Sequence, residues 1–261
     1  MRRLRRLLNR RAARRVEGVF VAEGVEVVRA GLLAGVRPEG LYVEAGAAER
    51  DLGVLGLVAT AREMGTRVFE LAPGVVERVA STVTPQPVLA VFPVLDVERV
   101  PPGAELVVVM AGVGDPGNAG TVLRTADAAG VGAVVCCGGT VDPYNPKTVR
   151  ASAGSLFHVP LVLAADAVGA LADLGRAGLR RLGATAHGGD DYAEVDWTVP
   201  TALVLGNEAR GLPEGLPLEG LVGIPMAGRA ESLNVGMACA VLCFEALRQR
   251  RSALPRSTMP R

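Results

Sequence analysis

Aromatic side chains are scarce in this 261-residue chain: one Trp, three Tyr and five Phe, 3% of the whole. That scarcity argues against a wide platform for stacking single-stranded bases. Lysine is scarcer still, since Lys147 is the one lysine among 28 basic residues. Four cysteines do not make a metal site. Cys136 and Cys137 are adjacent in an apolar run, so on a strand they face opposite sides, and Cys239 and Cys243 sit four apart on a helix. Buried thiols in a reducing cytosol account for them. No apolar run approaches the length of a membrane span. The N-terminus is rich in arginine and lacks the apolar stretch of a secretory signal. A net charge of +1 excludes a general polyanion binder, so any basic surface must be local. What the chain has in quantity is apolar residues, 49%, enough for a substantial core in one large domain or two small ones.

Residues 2–15 carry Arg2, Arg3, Arg5, Arg6, Arg10, Arg11, Arg14 and Arg15, with no acid before Glu17. Leu4, Leu7 and Leu8 form a partial stripe at helical spacing. Contact with RNA phosphates is the favoured reading. The rivals are a solvated helix packed through its leucines, and an organellar transit peptide. Beyond it, a helix is expected over 24–34, a strand over 40–43 and a helix from Asp51 to Met64. A strand over 67–71, a short helix over 73–80, a loop over 81–87 and a strand over 88–94 follow. This βα alternation defines an N-terminal domain over 1–94. Pro93, Pro101 and Pro102 mark a linker over 95–103. A second domain spans 104–251, and 252–261 reads as a tail.

The second domain opens with Leu106 to Met110, an apolar run suited to a strand buried on both faces. Gly112-Val-Gly-Asp-Pro-Gly117 then matches a dinucleotide-binding turn literally. Such a fold wants an acid about 20 residues on, but the next strand, Ala133 to Cys137, ends in Cys-Cys-Gly-Gly. Asp115-Pro116 and Asn118 also put bulk where a phosphate would lie, so a nicotinamide enzyme is set aside. Strands at 159–163, 181–186 and 201–205, and a helix over 166–177, follow. Tyr192 and Trp197 read as packing residues, His158 as structural and His187 as a neighbour of a ligand pocket.

Three stretches stand out in order. They are Asp115-Pro-Gly-Asn-Ala-Gly-Thr-Val-Leu-Arg124, Leu205-Gly-Asn-Glu-Ala-Arg-Gly-Leu-Pro213 and Ile224-Pro-Met-Ala-Gly-Arg-Ala-Glu-Ser-Leu-Asn-Val-Gly-Met-Ala-Cys-Ala240. In the last, a strand end, a polar loop and a helix start meet. Ser232 is the expected N-cap, and the helix runs from Leu233 to Gln249. In an open α/β sheet that is where ligands bind. Together the three resemble the signature of the SpoU (TrmH-type) family, RNA ribose 2′-O-methyltransferases of the SPOUT superfamily. The run Asn145-Pro-Lys…Arg150-Ala-Ser-Ala-Gly154 is similar to a family segment beside the RNA site.

The resemblance implies an α/β protein. Its C-terminal part would be a SPOUT-type parallel sheet with a deep trefoil knot, preceded by a small L30e-like substrate-binding domain. It implies S-adenosylmethionine as cofactor, no metal, a homodimer in the cytoplasm and methylation of RNA. 23S rRNA is favoured; a tRNA substrate or a catalytically inactive RNA-binding relative is the alternative. Asn118, Arg124, Glu208, Ser232 and Asn234 are the implied catalytic set. Thr185, Ala186, Gly206, Asn207, Glu208, Ile224, Met226, Ser232, Leu233 and Asn234 would hold the cofactor, with Gly206 leaving room for it. Arg2, Arg3, Arg5, Arg6, Arg10, Arg11, Lys147 and Arg150 would hold RNA.

Overall fold

The computed structural model describes residues 1–80 and 85–253. In chain order the first part comprises α1 (Arg2–Asn9), α2 (Arg11–Glu17), β1 (Val19–Glu23), α3 (Val25–Leu33), β2 (Gly40–Glu44), α4 (Ala47–Arg50), α5 (Leu52–Glu63), β3 (Arg67–Leu71), α6 (Val75–Val79) and β4 (Val88–Pro93). The rest comprises β5 (Asp96–Val97), β6 (Leu106–Met110), α7 (Pro116–Ala128), β7 (Ala133–Cys136), α8 (Pro146–Ala151), β8 (Leu161–Leu163), α9 (Ala167–Arg176), β9 (Arg180–Thr185), β10 (Asp190–Asp191), β11 (Thr201–Leu205), β12 (Gly220–Gly223) and α10 (Val235–Ala253). The described residues group into two compact units, those up to 95 with 142–158 and 96–141 with those from 159 on.

The first unit is a four-stranded sheet in the order β1-β4-β2-β3, antiparallel except for β2 with β3. Its β1 was not anticipated: Val19 to Glu23 leads straight into a helical pattern, yet all five residues are buried. The arginine-rich segment is two helices, not one, broken where Arg10 is extended. Leu4, Leu7 and Leu8 are buried against Val19, Val21, Leu89 and Val91. Each such leucine stabilises the fold by roughly 2 kcal/mol. The arginines are also less free than their spacing suggests. Arg3 and Arg6 pair with Glu17, and Arg3 with Glu39. Arg5 donates to the Arg78 carbonyl. Arg14 is buried, its Nε and Nη2 on Asp142 Oδ2 at 2.8 and 2.5 Å and its Nη1 on the carbonyls of Leu7 and Leu8.

Asp142 belongs to a segment that the sequence placed inside the second domain. The structure packs residues 142–158 with the first unit instead. Its aromatic side chains are the reason: the Tyr144 ring lies 4.9 Å from Phe20, and Phe157 meets both Phe20 and Phe92. The expected linker is also partly structured, since Asp96 and Val97 pair with Leu161 and Val162.

The second unit is an eight-stranded sheet in the order β10-β12-β9-β11-β6-β7-β8-β5, with every neighbouring pair parallel. The continuous apolar runs of β6 and β11 lie side by side near its middle and are wholly buried, as a parallel sheet covered on both faces demands. Leu171 and Leu174 of α9 pack on one face against Val107, Val109, Val135 and Val204. α7 and α10 pack on each other. Trp197 is buried, its Nε1 donating to the Tyr192 carbonyl. The two-residue strand β10 was not anticipated, being too short to show a period. The expected tail from 252 begins as helix, and residues 254–261, like loop residues 81–84, lie outside the described residues. No helix among the described residues is long and apolar enough to cross a membrane.

Asp142→Ala leaves the Arg14 guanidinium buried without its counter-charge. It is expected to destabilise the first unit by about 3–5 kcal/mol. The double variant Arg14→Leu/Asp142→Leu is expected to lose less, because no charge is stranded. Scanning calorimetry of the three proteins checks the order.

Candidate active site

The site lies in the second unit, where the chain leaves the carboxyl ends of the parallel strands. After β6, Asp115 caps α7 by accepting from the Asn118 N–H at 2.9 Å, and Pro116 supplies a first position that needs no donor. Asn118 thus sits inside the first turn. After β11, Asn207 and Gly211 exchange backbone hydrogen bonds of 2.8 and 2.9 Å and close a tight loop. The Asn207 side chain accepts from the N–H groups of Ala209 and Arg210 and donates to the Gly112 carbonyl. Before α10, the cap is Asn234 and not Ser232: its Oδ1 accepts from Gly236 N at 2.9 Å and Met237 N at 3.4 Å. A Ser preceding an apolar run is a good cap signal, but Asn two residues later is as good a cap, and sequence alone does not choose between them.

Side chains from all three stretches meet. Glu208 Oε2 accepts from Gly114 N, and its Oε1 from Asp115 N and Asn118 Nδ2, each at 3.0 Å. Asn118 Oδ1 accepts in turn from Asn234 Nδ2 at 2.8 Å. Burial alone would raise the Glu208 carboxyl, but the Asn118 amide and the Gly114 and Asp115 N–H groups outweigh it and hold Glu208 below the usual carboxylate range. It is an anion fixed as an acceptor, with no proton to give near neutral pH.

Beside this network opens a cleft of about 920 Å³, within the size range of small-ligand sites. Thr185, Ala186, Gly206, Asn207, Glu208, Ile224, Met226, Ser232, Leu233 and Asn234, the ten residues expected to hold a cofactor, all line it, and so does Asn118. His187 lines it as well, its backbone N–H and carbonyl both bonded to Thr185 Oγ1. Leu212, Leu216, Leu218 and Leu242 add apolar wall that the sequence reading missed. Leu212 stood inside the second motif; the others carry no signal beyond being apolar. Apolar walls with backbone groups at their edges suit a ligand with a flat apolar part and a few polar corners.

Arg124 lies outside the cleft, exposed on α7, its guanidinium making no hydrogen bond or ion pair among the described residues. Gly206 lines the cleft, but a side chain there would run into the chain itself. A Cβ there would come within 2.4 Å of the Gly211 carbonyl carbon and 2.5 Å of Leu212 N, so the glycine serves the chain's own loop closure. Lys147 and Arg150 lie on α8 in the first unit, with Arg150 3.8 Å from Glu23. Among the described residues no group of His, Cys, Asp and Glu is arranged to hold a metal ion.

Two families match the chain. The SpoU rRNA Methylase family matches residues 105–244, and the MRM3-like substrate binding domain matches residues 1–90. The 23S rRNA (guanosine(2553)-2′-O)-methyltransferase RlmP of Bacillus subtilis is 37% identical over 70% of this chain and 73% of that one. The 23S rRNA (uridine(2479)-2′-O)-methyltransferase of Streptomyces viridochromogenes is 36% identical over 87% of this chain and 85% of that one. Among solved structures, the SpoU methyltransferase AviRb of Streptomyces viridochromogenes in complex with AdoMet superposes with a TM-score of 0.85. It is 32% identical and covers 96% of this chain and 97% of its own.

Gly206→Ala is expected to destabilise the ligand-free protein by about 1–3 kcal/mol through overpacking against the 211–212 backbone. A melting temperature equal to that of the parent, with cofactor affinity alone reduced, would mean that the glycine faces the ligand after all.

Proposed function

Because the chain belongs to the SpoU rRNA methylase family, we propose that it transfers a methyl group from S-adenosylmethionine to a ribose 2′-hydroxyl of RNA, with 23S rRNA as substrate. The observation that carries this reading is the meeting of Asn118, Glu208 and Asn234 at the rim of the 920 Å³ cleft. Bound S-adenosylmethionine supplies an electrophilic methyl carbon. The chain's part is to hold and aim. Ile224, Met226 and Leu233 would pack on the adenine, and the backbone of the 185–186, 206–208 and 224–226 loops would bond its polar edges. Glu208 keeps the first and second loops in register, and Asn234, through Asn118, adds the third. Ser232 would face the substrate from the cleft wall.

Arg124 is the residue proposed to act on the reacting hydroxyl. A guanidinium remains protonated, so its role is to bind the neighbouring phosphate and to stabilise charge developing on the 2′-oxygen. The proton leaves to that phosphate or to water. Its position outside its own chain's cleft fits a site completed in a homodimer. Met237 and Phe244, 62% and 47% exposed one heptad apart on α10, offer an apolar face for the second copy. A trefoil knot formed by the threading around β11, β12 and the loop before α10 belongs to the same proposal.

The first unit would bind the RNA substrate. Arg2, Arg10 and Arg11 are exposed and have no ion pair among the described residues, so they are the arginines of the segment best placed for phosphates. Arg3, Arg5 and Arg6 are occupied within the protein and would have to share. Lys147 and Arg150 extend the same unit. The place of work is proposed to be the cytoplasm, where ribosomal RNA is met.

Mapping 2′-O-methyl sites in rRNA from cells with and without the gene tests the function: one site is expected to disappear. An unchanged 23S map would redirect the search to other RNAs. Arg124→Ala is expected to lower transfer at least a hundredfold, a loss of roughly 3 kcal/mol of transition-state stabilisation, with S-adenosylmethionine affinity by calorimetry unchanged. Near-normal turnover would remove Arg124 from the mechanism.

A further inference from the structure

We infer that the outer edge of the first unit's sheet is a seat for one unpaired RNA base, built from Tyr42, Phe69 and Arg67. This rests on RNA being the substrate. The register of β2 with β3 sets Tyr42 opposite Phe69 and Gly40 opposite Arg67, all on one face. The two rings stack, 15° from parallel with centroids 4.9 Å apart. Gly40 makes this possible: a Cβ there would lie 3.1 Å from the Phe69 ring and 3.3 Å from the Tyr42 ring. The Arg67 guanidinium continues the stack at 5.3 Å from the Phe69 centroid.

The inner end of this stack is anchored, because Tyr42 packs against the core formed by Leu4, Leu7, Leu89 and Val91. The outer end is open. β3 is the last strand of the sheet, and Arg67 is exposed, its guanidinium making no hydrogen bond or ion pair among the described residues. A row of flat groups ending in a free cation matches what an unstacked nucleotide presents, a π face and an adjoining phosphate. An aromatic pair that only stabilised the sheet would not need a cation on its open side. The basic helix is tied to the start of the neighbouring strand, since Arg3 bonds Glu39, the residue before β2. The scarcity of aromatic residues excludes a wide platform and leaves room for a seat one base wide.

The test uses the full chain and two labelled probes, a single-stranded RNA hexanucleotide and its abasic counterpart with the same phosphates, read by fluorescence anisotropy. The parent protein is expected to prefer the base-bearing probe. Phe69→Leu is expected to weaken that probe's binding about tenfold and leave the abasic probe unchanged, while Arg67→Ala weakens both. Phe69→Trp is expected to restore the preference, with indole emission quenched on binding; Trp197 is buried in the other unit and gives a constant background. A parent protein without the preference, or a folded Phe69→Leu variant that keeps it, overturns the seat. Calorimetry with S-adenosylmethionine separates the two readings. Affinity is expected to be equal in all variants, and a parent chain that does not bind the cofactor would overturn the methyltransferase reading and leave the base preference still readable.

Discussion

The catalytic half depends on one carboxylate. Glu208 gathers two backbone N–H groups from the loop after β6 and an amide from the first turn of α7. Asn118 passes the connection to Asn234, which in the same stroke caps α10. Each of these groups sits at a loop or helix end, where backbone donors are otherwise unsatisfied. The network therefore does two things with the same hydrogen bonds. It finishes three pieces of secondary structure, and it fixes the mutual position of three loops, two of which wall the ligand cleft that Asn118 reaches from the first. This is why the site residues occur as short motifs far apart in sequence: each motif is a strand end plus the polar side chain that ties it to the others.

The first unit is organised by charge in a different way. Eight arginines before the first acid read as a phosphate-binding tail, and four of them, Arg3, Arg5, Arg6 and Arg14, turn out to make contacts inside the fold. Arg14 is the extreme case. Its guanidinium is buried, pairs with Asp142 and satisfies two carbonyls at the end of α1. A buried pair of this kind is better evidence for a specified arrangement than for added stability. What it specifies here is the docking of residues 142–158, which carry Lys147 and Arg150, on the substrate-binding unit. The segment most like an RNA contact in the second half of the sequence thus travels with the first half.

Element types were largely legible. The apolar runs of β6 and β11 and the longer helices α3, α5, α9 and α10 carry periods long enough to read, and the parallel sheet follows from their alternation. What escaped was short or ambiguous: β1, whose residues run unbroken into a helix; β10, two residues long; and the choice between Ser232 and Asn234 as cap. Membership of the cleft was also legible for the ten residues expected to hold a cofactor, because they fall at strand ends and strand ends converge in a parallel sheet. Gly206 shows the limit. A glycine tells the reader that a side chain is forbidden and says nothing of what forbids it, and here it is the 211–212 backbone.

By itself, then, the sequence determined the class of fold, the three motifs and the chemistry they are suited to, because periodicity and local chemistry are properties of neighbours in the chain. Only the tertiary structure decided which arginines are occupied, where residues 142–158 belong and that Tyr42, Phe69 and Arg67 form one stack. Each of those is a matter of partners separated by tens of residues or more, or of strand register, and neither composition nor spacing records which distant group a side chain will meet.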